Sequence, residues 1–204
     1  MKLFFSKGAC SLVDHIIINE LALPAEYEAV DLKTKKTATG GDFLEINPKG
    51  SVPALITDDN ETLTENAVIL QYLADTNKAT QLLPALGDFK RYKVLEWLNY
   101  VATELHKGFG PLFNPDMPQE IKDNFALPLL KKKFTFIDEH LQNHQFLSGE
   151  HFTIPDAYLF VMLLWASNIK IDLSGLSNLS RYFSDLKKRD SILRSLKEED
   201  IELK

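Results

Sequence analysis

Apolar residues recur with two different periods along this chain, and the change of period divides it. Residues 2–5 form a short apolar run that predicts a strand. A glycine-bearing loop over 6–10 follows, and Ser11 then opens a helix on which Leu12, Val13, Ile16, Ile17 and Leu21 recur at helical spacing. Leu23-Pro24 closes it. Residues 27–32 alternate weakly and predict a second strand, 34–41 read as a polar loop, and 42–46 allow one helical turn. The apolar run 54–56 predicts a third strand with Pro53 at its mouth, because proline cannot donate to a ladder within a strand. A turn at 58–60 folds a fourth strand, 61–63, back as a hairpin. A helix over 65–75 completes the order β-α-β-α-β-β-α, with Val68, Ile69, Tyr72 and Leu73 expected on its inner face.

The polar stretch 76–87 carries Pro84 and no clear period, so it reads as a linker. Beyond it every pattern is helical. Leu95, Leu98, Ala102 and Leu105 predict a helix over 92–107, stopped or kinked by Gly108-Phe109-Gly110-Pro111. Leu127, Leu130, Phe134, Ile137 and Leu141 predict another within 118–144, disturbed near Pro128. Residues 153–167 are apolar on nearly all sides, as the buried central helix of this half would be. Short helices over 177–188 and 191–197 follow, and residues 198–204 are expected to fray. The expected domains are therefore residues 1–78, an α/β unit, and residues 88–204, an all-α unit.

Composition narrows the functions open to such a chain. Its 204 residues are 45% apolar, enough for a packed core. A net charge of −6 argues against a nucleic-acid partner, and the short lysine clusters at 35–36, 131–133 and 187–189 read as solvated faces. The longest apolar run, 157–166, is too short to span a bilayer, and the N-terminus lacks the pattern of a signal peptide. One cysteine, Cys10, cannot form an internal disulfide, which fits a reducing cytoplasm.

Four groups of residues carry candidate chemistry. Val52-Pro53 is a plausible cis bond, and the amide and carbonyl of Val52 would pair with an extended, peptide-like ligand. Glu65 and Asn66 open a helix whose first amides have no intrahelical partner, which suits a polar ligand; the plainer reading is a tight turn and an ordinary capped helix. Cys10 precedes a helix start, where the dipole favours a thiolate, and Lys7 acts in the same sense; an inert core thiol is the alternative. No cysteine stands three residues on, so a dithiol cycle is excluded. Ser11 is a helix cap or a hydroxyl donor to an anion. Asn99, Thr103 and His106 fall at i, i+4 and i+7, either as a solvated face or as one wall of a cleft in which His106 moves a proton. Thr153-Ile154-Pro155-Asp156 fits a capping box and reads as structural.

Taken together these residues resemble a cytosolic glutathione transferase, and the resemblance covers essentially the whole chain. Gly8-Ala9-Cys10-Ser11, Asn47-Pro48-Lys49-Gly50-Ser51-Val52-Pro53, Leu63-Thr64-Glu65, Trp97-Leu98-Asn99 and Glu104-Leu105-His106-Lys107-Gly108 resemble the bacterial beta class. The resemblance implies a thioredoxin-like N-terminal domain followed by an all-helical domain that contributes the electrophile site. It implies glutathione as co-substrate, with no metal or other cofactor, a small hydrophobic electrophile and a homodimer. Val52, across a cis Pro53, would pair with the cysteinyl part of glutathione, Glu65 and Asn66 would hold its γ-glutamyl end, and Lys35 would approach its glycyl carboxylate. Cys10 would lie beside the glutathione sulfur and form a mixed disulfide with it. Ser11 and His106 would tune that sulfur, while Asn99 and Thr103 would line the cleft. Phe109, Leu112, Phe113 and Trp165 are candidates to meet the electrophile. Two departures stand out: Asn66, where many members carry Ser, Gly or Ala, and Phe5, where relatives often have Tyr, so a phenol at position 5 takes no part. A glutaredoxin-like monothiol oxidoreductase and a non-enzymatic ligand-binding protein remain the competing readings.

Overall fold

A computed structural model describes residues 1–203. The chain forms two compact units: residues 1–80 together with the last stretch from Lys188, and residues 81–187.

The first unit is built on strand β1 (Lys2–Phe5), which pairs in parallel with β2 (Glu26–Asp31) and antiparallel with β4 (Ala54–Ile56). Leu3 lies opposite Tyr27 on one side and Leu55 on the other. Its inner residues Leu3 and Phe4 are both buried, which is why β1 reads as an unbroken apolar run and not as an alternation. The hairpin strand β5 (Thr62–Thr64) closes one edge. The other edge is a two-residue strand, β3 (Lys36–Thr37), inside the stretch read from sequence as a loop. The sheet therefore has five strands in the order β3-β2-β1-β4-β5. One turn, α2 (Phe43–Ile46), is capped by Asp42, whose carboxylate accepts from the Leu44 amide.

Helix α1 (Leu12–Glu20) buries every residue from Leu12 to Ile18 and packs against α3 (Asn66–Thr76) and α10 (Asp190–Glu198). The buried face of α3 is Asn66, Ile69, Leu70, Leu73 and Ala74, an i, i+3, i+4, i+7, i+8 stripe. Val68, expected inside, lies on the opposite face and is exposed, and Tyr72 is only half-buried. Helix α10 and the residues flanking it clasp α1 and the loop before it, and Glu198, Glu199 and Asp200, in the tail expected to fray, are held there as well. Arg189 and Ser191 bond the Glu20 carboxylate, Asn19 donates to Ser195 Oγ at 2.8 Å, and Lys7 meets Asp200 at 2.8 Å. Only Lys204 of that expected tail lies outside the described residues.

Asp14 is an anomaly within α1. It is fully buried, and neither carboxylate oxygen meets a hydrogen-bond donor from another residue. Burial, reinforced by the negative Glu199, pushes its carboxyl well above the usual range. An acid whose folded value is raised stabilises the fold at low pH and loses that contribution as pH rises above its unfolded value of about 4. Asp14→Asn removes this titration. Its stability relative to the wild type should grow with pH, to a gain on the order of 2 kcal/mol near pH 8. Urea midpoints measured near pH 4.5 and near pH 8 check this, and an equal offset at both would contradict it.

In the second unit, α4 (Phe89–Tyr100) runs without a break into one wide, π-type turn over Val101–His106, a tight turn over Lys107–Phe109 and the short α5 (Gly110–Phe113). Gly108-Phe109-Gly110-Pro111, expected to stop or kink the helix, does not stop it: the chain stays helical but changes its winding there, through the tight turn into α5. Pro111 occupies the first turn of α5, where a missing amide hydrogen is tolerated. Its buried stripe is Val94, Leu98, Val101, Leu105 and Phe109, so Leu98 and Leu105 were expected correctly while Leu95 and Ala102 flank it. Another wide turn, over Lys122–Ala126, joins the short α6 (Gln119–Ile121) to α7 (Leu127–Leu141), with Pro128 again in a first turn. Leu130, Phe134, Ile137 and Leu141 are its buried face. Helix α8 (Ile154–Asn168) buries every residue from Ile154 to Ala166, the central helix its composition predicts. Helix α9 (Ser177–Leu186) packs on α7 and α8. No helix among the described residues is long and apolar enough to cross a membrane.

Candidate functional site

The loop between β1 and α1 presents Cys10 half-buried, its thiol donating to the Val52 carbonyl at 3.3 Å. Val52-Pro53 is cis, as its position before β4 suggests. The approach to that bond is held from two sides. Lys35 donates to the Gly50 carbonyl at 2.6 Å, and Asn47 donates to the Ser51 carbonyl at 2.6 Å. Gly50 has a φ of +62°, and a Cβ there would come within 3.3 Å of the Lys35 side chain, so the position needs glycine. Lys35 thus braces the turn before Val52 in this structure.

Glu65 adopts a φ of +74° at the mouth of α3, a conformation L-residues hold only where the surroundings demand it. Its carboxylate, largely exposed, pairs with Lys49 at 2.5 Å, and Lys49 also donates to Thr64 Oγ1 at 2.6 Å. Lys49 was not singled out as a site residue from sequence; its place in the turn before Val52-Pro53 was the available signal. Asn66 is buried, its amide turned to the Cys10 carbonyl at 2.9 Å.

Ser11 departs from expectation. It makes no side-chain cap, because its own backbone is already helical, and its hydroxyl is fully buried. That hydroxyl accepts from the Ser6 amide at 3.2 Å and donates to the Ser6 carbonyl at 3.4 Å, so it ties the two ends of the Cys10 loop together. Sequence reasoning missed a further support. Glu199, wholly buried, accepts from the Gly8 amide at 2.9 Å and bonds His15 Nδ1 at 3.1 Å. His15 Nε2 meets Glu198 at 2.8 Å, and the ring stacks on Tyr27 at 4.0 Å. Burial raises the Glu198 carboxyl, but bonds from Arg194, Asn19 and His15 outweigh it and hold the group near 2, fully ionised at neutral pH. The Tyr27 hydroxyl is pushed up to about 12 by burial, so it stays protonated at neutral pH.

The helical unit brings together its own set. His106, in the wide turn, bonds the Tyr158 hydroxyl through Nδ1 at 2.5 Å and stands edge-on to Trp165 at 5.1 Å. Phe113 stacks on Phe109 at 5.5 Å, and both rings stand edge-on to Trp165. Three of the four residues suggested for an apolar substrate therefore form one aromatic cluster beside His106, with Phe113 its most exposed member. Asn99 and Thr103 are exposed, and Thr103 donates back to the Asn99 carbonyl at 3.0 Å. The wide turn inserts an extra residue per turn between them and His106, so the regular i, i+4, i+7 stripe is not kept.

Residues 10–76 match the family model described as glutathione S-transferase, N-terminal domain, and residues 100–190 the one described as glutathione S-transferase, C-terminal domain. The chain is 44% identical to the glutathione S-transferase GstA of Escherichia coli O157:H7 over 201 residues, covering 98% of this chain and all of that one. A sphingomonad glutathione S-transferase solved in complex with glutathione superposes with a TM-score of 0.94 at 41% identity, covering 99% of this chain and 100% of the other. The beta-class enzyme of Sphingomonas chungbukensis superposes with a TM-score of 0.95, also at 41% identity and with the same coverage. With both of its units matched and this identity sustained over nearly its full length, the chain belongs to the glutathione S-transferase family, in its bacterial beta class.

Proposed function

We propose that this protein is a glutathione transferase that binds glutathione on its first unit and also exchanges thiols through Cys10. One observation carries the reading: the Cys10 thiol lies 3.3 Å from the carbonyl of Val52, at a cis Val52-Pro53 bond that opens β4. An extended cysteinyl ligand pairing with the Val52 backbone would bring its own sulfur to Cys10. The start of α3 supplies amides that its helix does not use, beside Glu65 and Lys49, for the charged γ-glutamyl end. Lys35, now on the Gly50 carbonyl, is the cation assigned to the glycyl carboxylate.

The helix start at α1 stabilises negative charge and favours the bound glutathione as its thiolate, the nucleophile of conjugation. His106 is assigned to proton transfer, with its ring oriented by Tyr158, and Asn99 and Thr103 to the polar lining on its helix. The cluster of Phe109, Phe113 and Trp165, with Leu112, is assigned to a small hydrophobic electrophile. A homodimer working in the cytoplasm completes the reading. With glutathione alone as co-substrate, a Cys10-glutathione disulfide is resolved by a second glutathione, since the chain has no other cysteine.

Turnover with 1-chloro-2,4-dinitrobenzene separates the readings. The wild type should conjugate it to glutathione, Cys10→Ala should keep much of that rate, and His106→Ala should lower kcat about tenfold or more with less effect on KM. Loss of all activity in Cys10→Ala favours a monothiol oxidoreductase, and no turnover by the wild type favours a non-enzymatic binder.

A further inference from the structure

We propose that Asn66 is a positioning residue that fixes Cys10 relative to the start of α3 and so makes the thiol selective for γ-glutamyl disulfides; this rests on the glutathione reading above. Asn66 is the first residue of α3 and is buried. Its side-chain amide donates to the Cys10 carbonyl at 2.9 Å, and the same carbonyl accepts from the Val13 amide at 3.1 Å, in the first turn of α1. The other end of the amide is costly: Oδ1 is buried and accepts no hydrogen bond. An apolar side chain of the same branching would avoid that orphaned acceptor. Helices α1 and α3 pack on one another, and the buried face of α3 also carries the apolar Ile69, Leu70 and Leu73. The end of Asn66 that is used is therefore the donor, and it joins two helix starts.

Those two starts carry the two halves of the proposed ligand site. One bears the thiol, 3.3 Å from the Val52 carbonyl; the other bears Glu65 at its strained φ and the helix-start amides. The bond from Asn66 to the Cys10 carbonyl joins them and helps set how far the sulfur stands from the group that would receive the γ-glutamyl carboxylate. The family resemblance implies that Asn66 contacts the γ-glutamyl end itself. Buried and turned to Cys10, its side chain acts through Cys10 instead. The step it serves is disulfide exchange. The Cys10 thiolate attacks one sulfur of oxidised glutathione, the glutathione S–S bond breaks as the Cys10-glutathione bond forms, and the departing glutathione thiolate takes a proton from water. A disulfide without γ-glutamyl groups does not use the second helix start and should be indifferent to the spacing.

The test is the rate constant of Cys10 mixed-disulfide formation, followed by intact mass, with oxidised glutathione and with hydroxyethyl disulfide. Wild type is compared with Asn66→Leu, which keeps the branching and removes both polar atoms, and with Asn66→Ala. The oxidised glutathione rate should fall about fivefold or more in both variants, and the hydroxyethyl disulfide rate should stay within about twofold. An unchanged ratio of the two rates, whether both hold or both fall together, overturns the positioning role. A wild type that shows no preference for oxidised glutathione refutes the underlying glutathione reading, and the role with it, before any variant is compared.

Discussion

Replacing Asp156 with alanine is expected to cost about 3–5 kcal/mol of stability and lower the melting temperature by roughly 10 °C. A capping box alone supports a loss on the order of 1–2 kcal/mol. The structure raises that figure because the carboxylate serves four donors. One oxygen accepts from the Thr153 amide at 2.8 Å and the Thr153 hydroxyl at 2.7 Å; the other accepts from the Leu147 amide at 2.9 Å and the Tyr182 hydroxyl at 2.7 Å. Asp156 and all the bonds to its amide and hydroxyl partners lie in the interior, where orphaned donors are not rescued by water. Burial pushes its carboxyl above the usual range in spite of these bonds, and it pushes the Tyr182 hydroxyl up as well. One side chain therefore starts the central helix α8, fixes the segment before it and anchors α9. Asp156→Asn, which keeps the shape, should lose less. A thermal melt of Asp156→Ala at the wild-type temperature would contradict this account.

Glu199→Ala should combine a loss of stability with a loss of chemistry. Its carboxylate is wholly buried between the Gly8 amide and His15, and its removal takes this buried bond from each of them. The expected cost is about 2–4 kcal/mol, read as a shift in the urea midpoint. Gly8 lies two residues before Cys10 in the loop that Ser11 ties to Ser6, so a loosened Gly8 displaces the thiol. Disulfide exchange at Cys10 should fall on the order of tenfold. Glu199→Gln can still accept from Gly8 and should recover much of the exchange rate. Because Glu199 also raises the Asp14 carboxyl, combining Glu199→Ala with Asp14→Asn should give a non-additive double-mutant cycle. Wild-type exchange in Glu199→Ala would separate the C-terminal stretch from the site.

What was legible in the chain follows from the range of the interactions that place each part. The strand Ala54–Ile56 with its cis Val52-Pro53, the buried α8 and the Thr153-Asp156 box are set by neighbours within a few residues, and periodicity and proline chemistry report such neighbours. The two-residue strand β3 is placed by its pairing with distant β2 and a bridge from Lys36 to Asp42, and it is too short for an alternation to register. Val68 was placed inside because it is apolar, but the face of α3 is chosen by packing against α1. The wide turn beneath His106 leaves no composition signal and changes which residues share a face with it. The largest omission was the C-terminal stretch. Charged and close to the terminus, Glu198 and Glu199 read as a fraying tail, yet they meet His15 and Gly8 from more than 180 positions away. Asp14, a buried acid without a donor from another residue, runs against every rule a sequence can supply.

The most direct test of the account is the intact mass of the protein after incubation with oxidised glutathione, with and without reductant, beside Cys10→Ala. The account predicts one glutathione adduct that reductant removes and that Cys10→Ala lacks. No adduct on a Cys10 that still reacts with iodoacetamide would show a thiol accessible but not aimed at glutathione, and would contradict the placement of the glutathione sulfur at Cys10.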